Sequence, residues 1–406
     1  MPDQNWTRRK AVLAGAGLAG LIPRFASAFQ PTNSDRVKPV RVPEGGIQPQ
    51  VVRDEAGTLH LVYYTGDPRA GSLFYTRSKD NGATFAPHMP VNHSGSAIAA
   101  GTIRGAQLAV DGNHRPHVAW NGSPGAQPRG PINPDSGKPG EPMLYSRLKD
   151  DGSGFEAERN VMGASFGLDG GGSLTADGRG NVHVLWHGIG VKEAAGPAKG
   201  EARRQVWTAT SHDHGKTFST ESKAWTKPTG ACGCCGMKAF TTRKGDVLAM
   251  YRSATEEIHR DIYLLHSADQ GASFTGRLLH KWDINACPMS SMDFSEGPDG
   301  VIAAWETGGQ IYWAEVSGKG GHSTEPAGAP GDGKGRKHPR VAINSRGELL
   351  LVWTEGTAWQ RGGSLAWQVY DRSGKVTNDS GTVPGVPVWS FAAPFVNRNE
   401  TFSILY

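Results

Sequence analysis

The feature that most constrains this chain is a two-strand pattern that recurs seven times along its 406 residues. In each copy a polar or small residue precedes a short strand, a turn rich in Gly or Asn follows, and a second strand ends in an aromatic residue. Such turn residues tolerate the positive φ that tight hairpins need. The seven copies are Gln48–Tyr64, Arg104–Trp120, Asp169–Trp186, Cys234–Tyr251, Cys287–Trp305, His338–Trp353 and Trp389–Tyr406.

The spacing of these copies predicts an all-β propeller. Each of the first six copies is followed by a further strand, which gives units of roughly 45–65 residues, the size of a propeller blade. A single blade cannot bury both of its faces, so the blades must stack in a ring. The last copy has only two strands, and the segment 37–42 is expected to add one and close the ring. The prediction is seven blades, with six as the alternative.

Composition excludes the main competing architectures. Glycine accounts for 56 residues, and Trp 12, Tyr 9 and Phe 13 supply enough aromatic surface for a large core. Disordered chains lack such surface, and helical bundles need more Ala, Leu, Glu and Lys.

A second repeat is independent of the hairpin count. The segments 78–85, 211–218 and 267–274 share the spacing Ser-x-Asp-x-Gly-x-(Ser/Thr)-Phe, and the segment 148–155 is a degenerate copy. In such a turn the Asp carboxylate can accept backbone N–H bonds and the Gly can take the strained φ. We therefore expect the Asp residues to be structural.

With these turns the chain resembles the sialidase superfamily with its Asp-box repeats. The resemblance implies a single sialidase-like propeller over residues 29–406 and suggests a carbohydrate-active protein, a glycoside hydrolase or a lyase, acting on an acidic sugar. The alternatives are a metal-binding or redox propeller centred on the cysteines and a non-catalytic platform that binds a glycan or a protein. Sialidases clamp a substrate carboxylate with three arginines, and Arg252 resembles the second of them. Gln48 stands where their first arginine is expected, and Arg340 or Arg104 could replace the third. Trp389 stands where their nucleophilic Tyr is expected, so the usual sialidase machinery is not retained.

Strand direction predicts which residues surround one shared mouth, because the first strand of each hairpin begins at the face where the second strand ends. The candidate catalytic residues there are Asp169, Glu306, Arg252 and His187. The candidate substrate-binding residues are Gln48, Gln50, Arg104, Asn121, Arg340, Glu355 and Trp389. Two of the carboxylates at a suitable separation would permit glycoside hydrolysis. The alternative is that each carboxylate accepts backbone hydrogen bonds at a blade end.

Three further histidines are expected to be framework residues. His60, His117 and His183 each lie three residues before an aromatic residue that ends a second strand. One residue type repeated at one strand position in three blades is most simply a structural device.

The cysteines form two clusters that open consecutive blades, so they are expected to be neighbours at the mouth. The cluster residues are Cys232, Cys234, Cys235, Cys287 and the nearby Met289. Three hypotheses remain open: two disulfides, a soft-metal site for copper or zinc, or a redox-active dithiol in which Cys234 and Cys235 are linked. His187 or His338 could complete a metal site.

The N-terminus resembles a twin-arginine export signal. Arg8-Arg9 precedes a short apolar stretch and the small-residue site Ala26-Ser27-Ala28, so residues 1–28 are expected to be removed in a bacterial periplasmic or extracellular protein. The alternative is an uncleaved membrane anchor. Of the formal net charge of +5, these residues contribute +3. The remaining charge gives no reason to expect nucleic acid as a partner, and we expect a carbohydrate instead, with no stable membrane insertion.

Overall fold

The computed structural model describes residues 35–67, 71–93, 105–194, 199–318 and 323–406. Within these ranges the strands form seven blades in chain order, which we number 1 to 7, and they pair antiparallel except for one parallel pair in blade 7. The prediction of a seven-bladed propeller is therefore confirmed. The expected export signal, residues 1–28, lies outside the described residues.

The blades share one internal order, in which the first strand is innermost. The first strands are Ile47–Arg53, Gln107–Val110, Gly172–Ala176, Lys238–Thr241, Met292–Glu296, Arg336–Ile343 and Ala393–Val396. The second strands are Leu59–Thr65, Pro116–Asn121, Val182–Gly190, Val247–Arg252, Gly300–Thr307, Leu349–Glu355 and Phe402–Leu405. The third strands of blades 1 to 6 are Ser72–Ser78, Met143–Arg147, Gln205–Ser211, Ile262–Ser267, Gln310–Gly318 and Gly363–Tyr370. The outer strands are Met89–Pro90, Arg159–Asn160, Ser222–Lys223, Thr275–His280, Ala327–Gly328 and Val376–Val386.

Helical structure is minor in the described ranges. It consists of the 3-10 turns Pro43–Gly45, Val191–Glu193 and Gly200–Arg203, and no helix there is long and apolar enough to cross a bilayer. The remaining short strands are Ser165–Phe166, which pairs with the second strand of blade 3, and the hairpin of Ile132–Asn133 with Lys138–Pro139. That hairpin lies in the long loop of blade 2.

The axis of the ring is a channel of about 440 Å³ lined by the first strand of every blade. The hydrophobic core lies between neighbouring blades. One cluster joins Tyr64 and Tyr75 of blade 1 to Trp120 and Leu144 of blade 2, all at most 1% exposed. Because each such cluster needs two blades, the ring must be complete before all of its apolar surface is buried.

The ring closes through the two ends of the propeller. Val37–Val40 runs parallel to Phe402–Leu405 as the third strand of blade 7, with Val37 opposite Phe402. The backbone N–H of Phe402 donates to the carbonyl of Arg36 at 2.8 Å. Val37 is 6% exposed and packs in the cluster shared by blades 6 and 7. The predicted closure by an N-terminal strand is confirmed.

The Ser-x-Asp-x-Gly turns follow third strands, at the end of the ring opposite to the mouth. In the first of them Ser78 Oγ donates to Asp80 Oδ1 at 2.7 Å, and the N–H of Thr84 donates to the same oxygen at 2.9 Å. The segments at 211–218 and 267–274 repeat both bonds. Hydrogen bonds from Thr84 and Ser78 lower the pKa of Asp80 to about 2. These carboxylates are fully engaged in holding their turns.

The three repeated histidines are buried framework residues. His117 Nδ1 contacts the hydroxyl of Tyr145 at 2.6 Å and its Nε2 lies 3.3 Å from Asp111. His60 makes the same two kinds of contact with Tyr75 and Asp54. Burial lowers the pKa of His117 although Asp111 opposes the shift. The imidazole is therefore neutral, and it links Tyr145 and Asp111 through its two ring nitrogens.

Candidate functional site

The axial mouth is the end of the ring where first strands begin and second strands end. Two cavities open there, separated by the cysteine segment 232–235. The first, which we call the carboxylate cavity, has a volume of about 220 Å³ and is lined by Asn121, Gly122, Pro124, Glu141, Gly167, Leu168, Asp169 and Arg204. The second, which we call the aromatic cleft, is lined by Met289, Lys337, His338, Thr357, Ala358, Trp359, Arg361, Trp389 and Ser390.

The carboxylate cavity contains accessible ionisable groups. The Asp169 side chain is 35% exposed and its Oδ2 lies 3.5 Å from Arg204 Nη2. Glu141 is half-buried on the same wall. Asn121 is 6% exposed, and its buried Nδ2 has no hydrogen-bond partner among the described residues. A buried donor without a partner costs free energy unless a ligand or water accepts from it, so this amide is available to a ligand.

Glycines bring the cysteine segment directly onto this cavity. A side chain at Gly233 would overlap with both Asp169 Oδ2 and Arg204 Nη1. Arg204 also bonds Glu201 at 3.0 Å, and Glu201 pairs with Arg260. Acidic and basic side chains therefore alternate from the cavity wall along the cysteine segment, in the order Asp169, Arg204, Glu201 and Arg260.

The aromatic cleft is lined by apolar and aromatic side chains together with two basic residues. Trp359 is 54% exposed, and its ring meets Trp389 edge-to-face with centroids 6.2 Å apart. Lys337 and Arg361 line the same cleft. Aromatic faces accept the C–H surface of flat ligands, and nearby cations favour an anionic one.

Four non-glycine residues at the mouth share a left-handed backbone. Gln48, Met289, His338 and Trp389 have φ between 48° and 58° and stand at equivalent places in blades 1, 5, 6 and 7. The inner strands of blades 1 and 6 are bulged at this place. Non-glycine residues pay strain in this region, and such outliers concentrate at functional sites. The same left-handed conformation in four blades shows that the start of the inner strand, at the mouth, departs from regular β geometry.

The cysteines are neighbours, as predicted, but their pairing differs from the two-disulfide hypothesis. Cys234 and Cys287 form a disulfide with a Cα–Cα distance of 6.5 Å, while Cys232 and Cys235 are free. The predicted link between Cys234 and Cys235 is wrong, since their sulfurs lie 4.0 Å apart. The reason is geometric, because Cys287 approaches Cys234 from the next blade. The thiols of Cys232 and Cys235 remain 3.5 Å apart.

The two free thiols have opposite electrostatic environments. Burial raises the pKa of Cys235, but the hydrogen bond from Cys232, the charge of Arg252 and a backbone bond at Ser290 outweigh it and lower the value to about 7. The partner thiol, Cys232, has a raised pKa because it shares that hydrogen bond and is itself buried. Cys235 is therefore the more acidic of the two thiols.

The predicted catalytic residues Arg252 and Glu306 form a buried pair beneath the cysteine segment. Their side chains are 0% and 3% exposed, and Arg252 Nη2 lies 3.2 Å from Glu306 Oε2. The Arg252 guanidinium also donates to the carbonyl of Arg260 at 2.8 Å, and the Arg252 carbonyl accepts from Cys232. Burial raises the pKa of Glu306, with Arg252 opposing the shift. Neither side chain reaches either cavity.

The remaining predicted residues lie at several depths. His187 is 2% exposed, and its Nε2 accepts from the N–H groups of Gly170 and Gly171, beside Asp169. Gln48 is 2% exposed and donates to the carbonyl of Trp389 at 2.7 Å. Arg104 lies outside the described residues. Gln50 and Arg340 line the channel below the mouth, and Glu355 pairs with Arg336 at 3.1 Å.

Five charged or aromatic residues of the two cavities were missed by sequence reasoning: Glu141, Arg204, Lys337, Trp359 and Arg361. A signal existed for the first two, because they lie at the ends of the long loops 122–142 and 188–204, which join second to third strands and so begin and end at the mouth. Lys337 directly precedes the predicted residue His338, and Trp359 and Arg361 follow the predicted residue Glu355 by a few positions. No pattern repeated between blades distinguishes these three residues.

The chain is matched by comparison of structures and not by comparison of sequences. No protein-family model matches it, and no curated protein matches it in sequence. A protein of unknown function from Dyadobacter fermentans has a TM-score of 0.52 at 14% identity, with 84% of this chain and 94% of that one covered.

Two carbohydrate-active proteins resemble the chain to a similar degree. A Penicillium chrysogenum alpha-L-arabinanase complexed with arabinobiose has a TM-score of 0.51 at 17% identity, covering 82% of this chain and 95% of that one. The Hadza microbial sialidase Hz136 has a TM-score of 0.50 at 14% identity, covering 81% of this chain and 66% of the sialidase. The fold is therefore that of a sialidase-like seven-bladed β-propeller, and the resemblance inferred from the sequence is confirmed at the level of fold.

Proposed function

We propose that this propeller is a carbohydrate-active protein of the glycoside hydrolase type that takes an acidic sugar at its axial mouth. The observation that carries the proposal is the carboxylate cavity, where Asp169 and Glu141 share one accessible space with Arg204 and the unpartnered amide of Asn121. The sialidase and the arabinanase with similar folds support a carbohydrate as the substrate, and the acidic character is inferred from Arg204.

The chemistry follows from two carboxyl groups facing one cavity. One would protonate the glycosidic oxygen while the other attacks the anomeric carbon or activates a water molecule. Asn121 Nδ2 would donate to a sugar hydroxyl, and Arg204 would face a sugar carboxylate. These roles replace the one expected for Glu306, whose carboxylate is ion-paired and buried.

The aromatic cleft supplies a binding surface for the same substrate. Trp359 presents an exposed face, and Lys337 and Arg361 supply positive charge for an acidic residue of the sugar chain. Met289 both lines this cleft and packs against the cysteine segment that borders Asp169, so the two cavities lie on opposite sides of one short segment.

The test is hydrolysis of a substrate panel by the wild type and by the Asp169→Asn and Glu141→Gln variants. The panel contains aryl glycosides of sialic acid, uronic acids and arabinose together with acidic oligosaccharides. Loss of a positioned acid or base is expected to lower kcat by about 100- to 10 000-fold. The matched control is Asp135→Asn, an exposed carboxylate of the same overhanging loop that pairs with Arg203, and it should leave kcat unchanged.

Two results would contradict the proposal. Absence of both binding and turnover across the panel would remove carbohydrate as the ligand. Binding without turnover in the wild type would instead make the mouth a non-catalytic glycan-binding platform.

We also propose that residues 1–28 direct export to the periplasm or beyond. The twin arginines and the small-residue site support this. Cell fractionation of a variant with Arg8→Lys and Arg9→Lys tests it, and the proposal predicts that the chain then stays in the cytoplasm.

A further inference from the structure

The cysteine segment contains a pair of thiols that the proposed sugar chemistry does not use. Cys232 and Cys235 stand at the spacing Cys-x-x-Cys, are each 2% exposed, and keep their sulfurs 3.5 Å apart without a bond. Met289 packs directly against them. The two free thiols at the start of blade 4 and the Met289 side chain at the start of blade 5 thus belong to one packed cluster at the mouth.

The disulfide gives this arrangement its rigidity. Cys287 is two residues before Met289, and its bond to Cys234 ties the loop of blade 5 to the middle of the Cys232–Cys235 segment. The N–H of Gly236 donates to the carbonyl of Ser290 at 3.0 Å, so the backbones are joined on the other side as well. Covalent and backbone links on both sides therefore hold Met289 against the cysteine segment.

The sulfur spacing suits one bound cation. Metal–thiolate bonds of about 2.3 Å place two sulfurs of one ion roughly 3.7 to 4.0 Å apart. The sulfurs of the two free thiols, Cys232 and Cys235, lie 3.5 Å apart, slightly below this range, and the neighbouring sulfur of Cys234 is held in the disulfide. Small adjustments of the free side chains would accommodate the ion.

A second observation points to a ligand at the same place. His338 is 8% exposed and lines the aromatic cleft together with Met289. Its buried Nδ1 has no hydrogen-bond partner in the described part of the chain. Both His338 and Met289 hold the strained left-handed backbone, so a residue with a soft sulfur donor and one with an unused nitrogen donor line the same cleft at the mouth.

We propose that Cys232, Cys235 and Met289 bind one copper(I) ion, with His338 positioned as a further donor. Thiolates and a thioether select Cu(I), whereas a closed zinc site requires four nitrogen, sulfur or oxygen ligands and rarely uses methionine. On binding, Cu⁺ replaces the two thiol protons, which pass to solvent. Neither copper nor the Cys234–Cys287 disulfide changes oxidation state. The resulting negative charge lies beside the guanidinium groups of Arg252 and Arg260.

The test is an anaerobic titration of the whole chain with Cu(I) held by the chromophoric chelator bathocuproine disulfonate. We expect one copper per chain, two titratable thiols in the denatured protein, and an X-ray absorption spectrum dominated by sulfur ligands. Cys232→Ser and Cys235→Ser should each weaken binding at least about 100-fold, and Met289→Leu about tenfold. Met292→Leu is the matched control, because it removes a thioether buried in the blade 5 core, and it should bind as the wild type does.

A measurement without variants guards against misfolded mutants. Because both thiols are buried, Cys232 and Cys235 of the wild type are alkylated with iodoacetamide over a time course in urea below the unfolding transition, with and without one equivalent of Cu(I), and the modified peptides are quantified. The proposal requires copper to protect both thiols. Equal labelling in both arms, no copper taken from the chelator, or preferential Zn(II) binding by four reduced cysteines would each overturn it. The sugar proposal is untouched by any of these results.

Discussion

Replacing Arg252 by methionine should lower the free energy of unfolding by about 3–5 kcal/mol, because it leaves the Glu306 carboxylate buried without its partner. The Arg252 side chain is fully buried, and its guanidinium is shared among the Glu306 carboxylate, the Glu306 carbonyl and the Arg260 carbonyl. Water cannot replace these contacts at 2% exposure. Urea unfolding followed by fluorescence measures the loss.

A double variant separates the pair's structural role from a catalytic one. Arg252→Met with Glu306→Leu removes both charges and should recover most of the stability, since buried ion pairs replaced by apolar groups are often neutral. If Arg252 instead contacted substrate, as the sequence comparison with sialidases suggested, the single variant would stay stable and lose turnover. That outcome would contradict the structural assignment.

The sequence predicts the fold well because the fold depends on local signals. Hairpin turns such as Glu55-Ala56-Gly57 act over a few residues, and the Ser-x-Asp-x-Gly turns form hydrogen bonds within a single segment. Strand closure by Val37–Val40 was also foreseeable, because blade 7 lacks a third strand of its own. Repetition made each weak signal visible several times over.

The site was less predictable from the sequence because it depends on how deeply each side chain is buried, and not only on where its residue stands along a strand. Arg252 and Glu306 do stand at strand ends near the mouth, as strand direction requires. Their burial comes from the neighbouring blade and from Trp282, whose ring the Arg252 guanidinium faces at 4.9 Å. No pattern along the chain encodes that packing, and the same is true of Trp359 in the aromatic cleft.

For the cysteines, too, the sequence predicted which residues lie close together but not how their sulfurs pair. That all four residues would meet followed from their places at the start of blades 4 and 5. Which sulfurs pair was open among three possibilities, because it depends on distances of a few ångströms. The Cys234–Cys287 bond and the two remaining thiols are therefore findings of the structure alone.

Deleting the closing strand should have a still larger effect than the ion pair. A chain that starts at residue 41 lacks Val37–Val40, which leaves Phe402–Leu405 as an open edge and exposes the cluster of blades 6 and 7. Several backbone hydrogen bonds at about 1 kcal/mol each and the burial of Val37 at about 1.5–3 kcal/mol are lost. This approaches the whole stability of about 5–15 kcal/mol that is typical of folded proteins.

We therefore expect the chain starting at residue 41 to aggregate or to unfold without a cooperative transition, since open apolar edges recruit other chains. Gel filtration and thermal unfolding measure both effects. The matched control is a chain that starts at residue 35 and so retains the strand. It should unfold cooperatively and keep the oligomeric state of the wild type. A synthetic peptide of residues 35–42 added during refolding should restore soluble protein. Equal stability of the two truncated chains would show that blade 7 holds the ring closed with two strands, because its remaining hairpin would then supply all the contacts that closure needs.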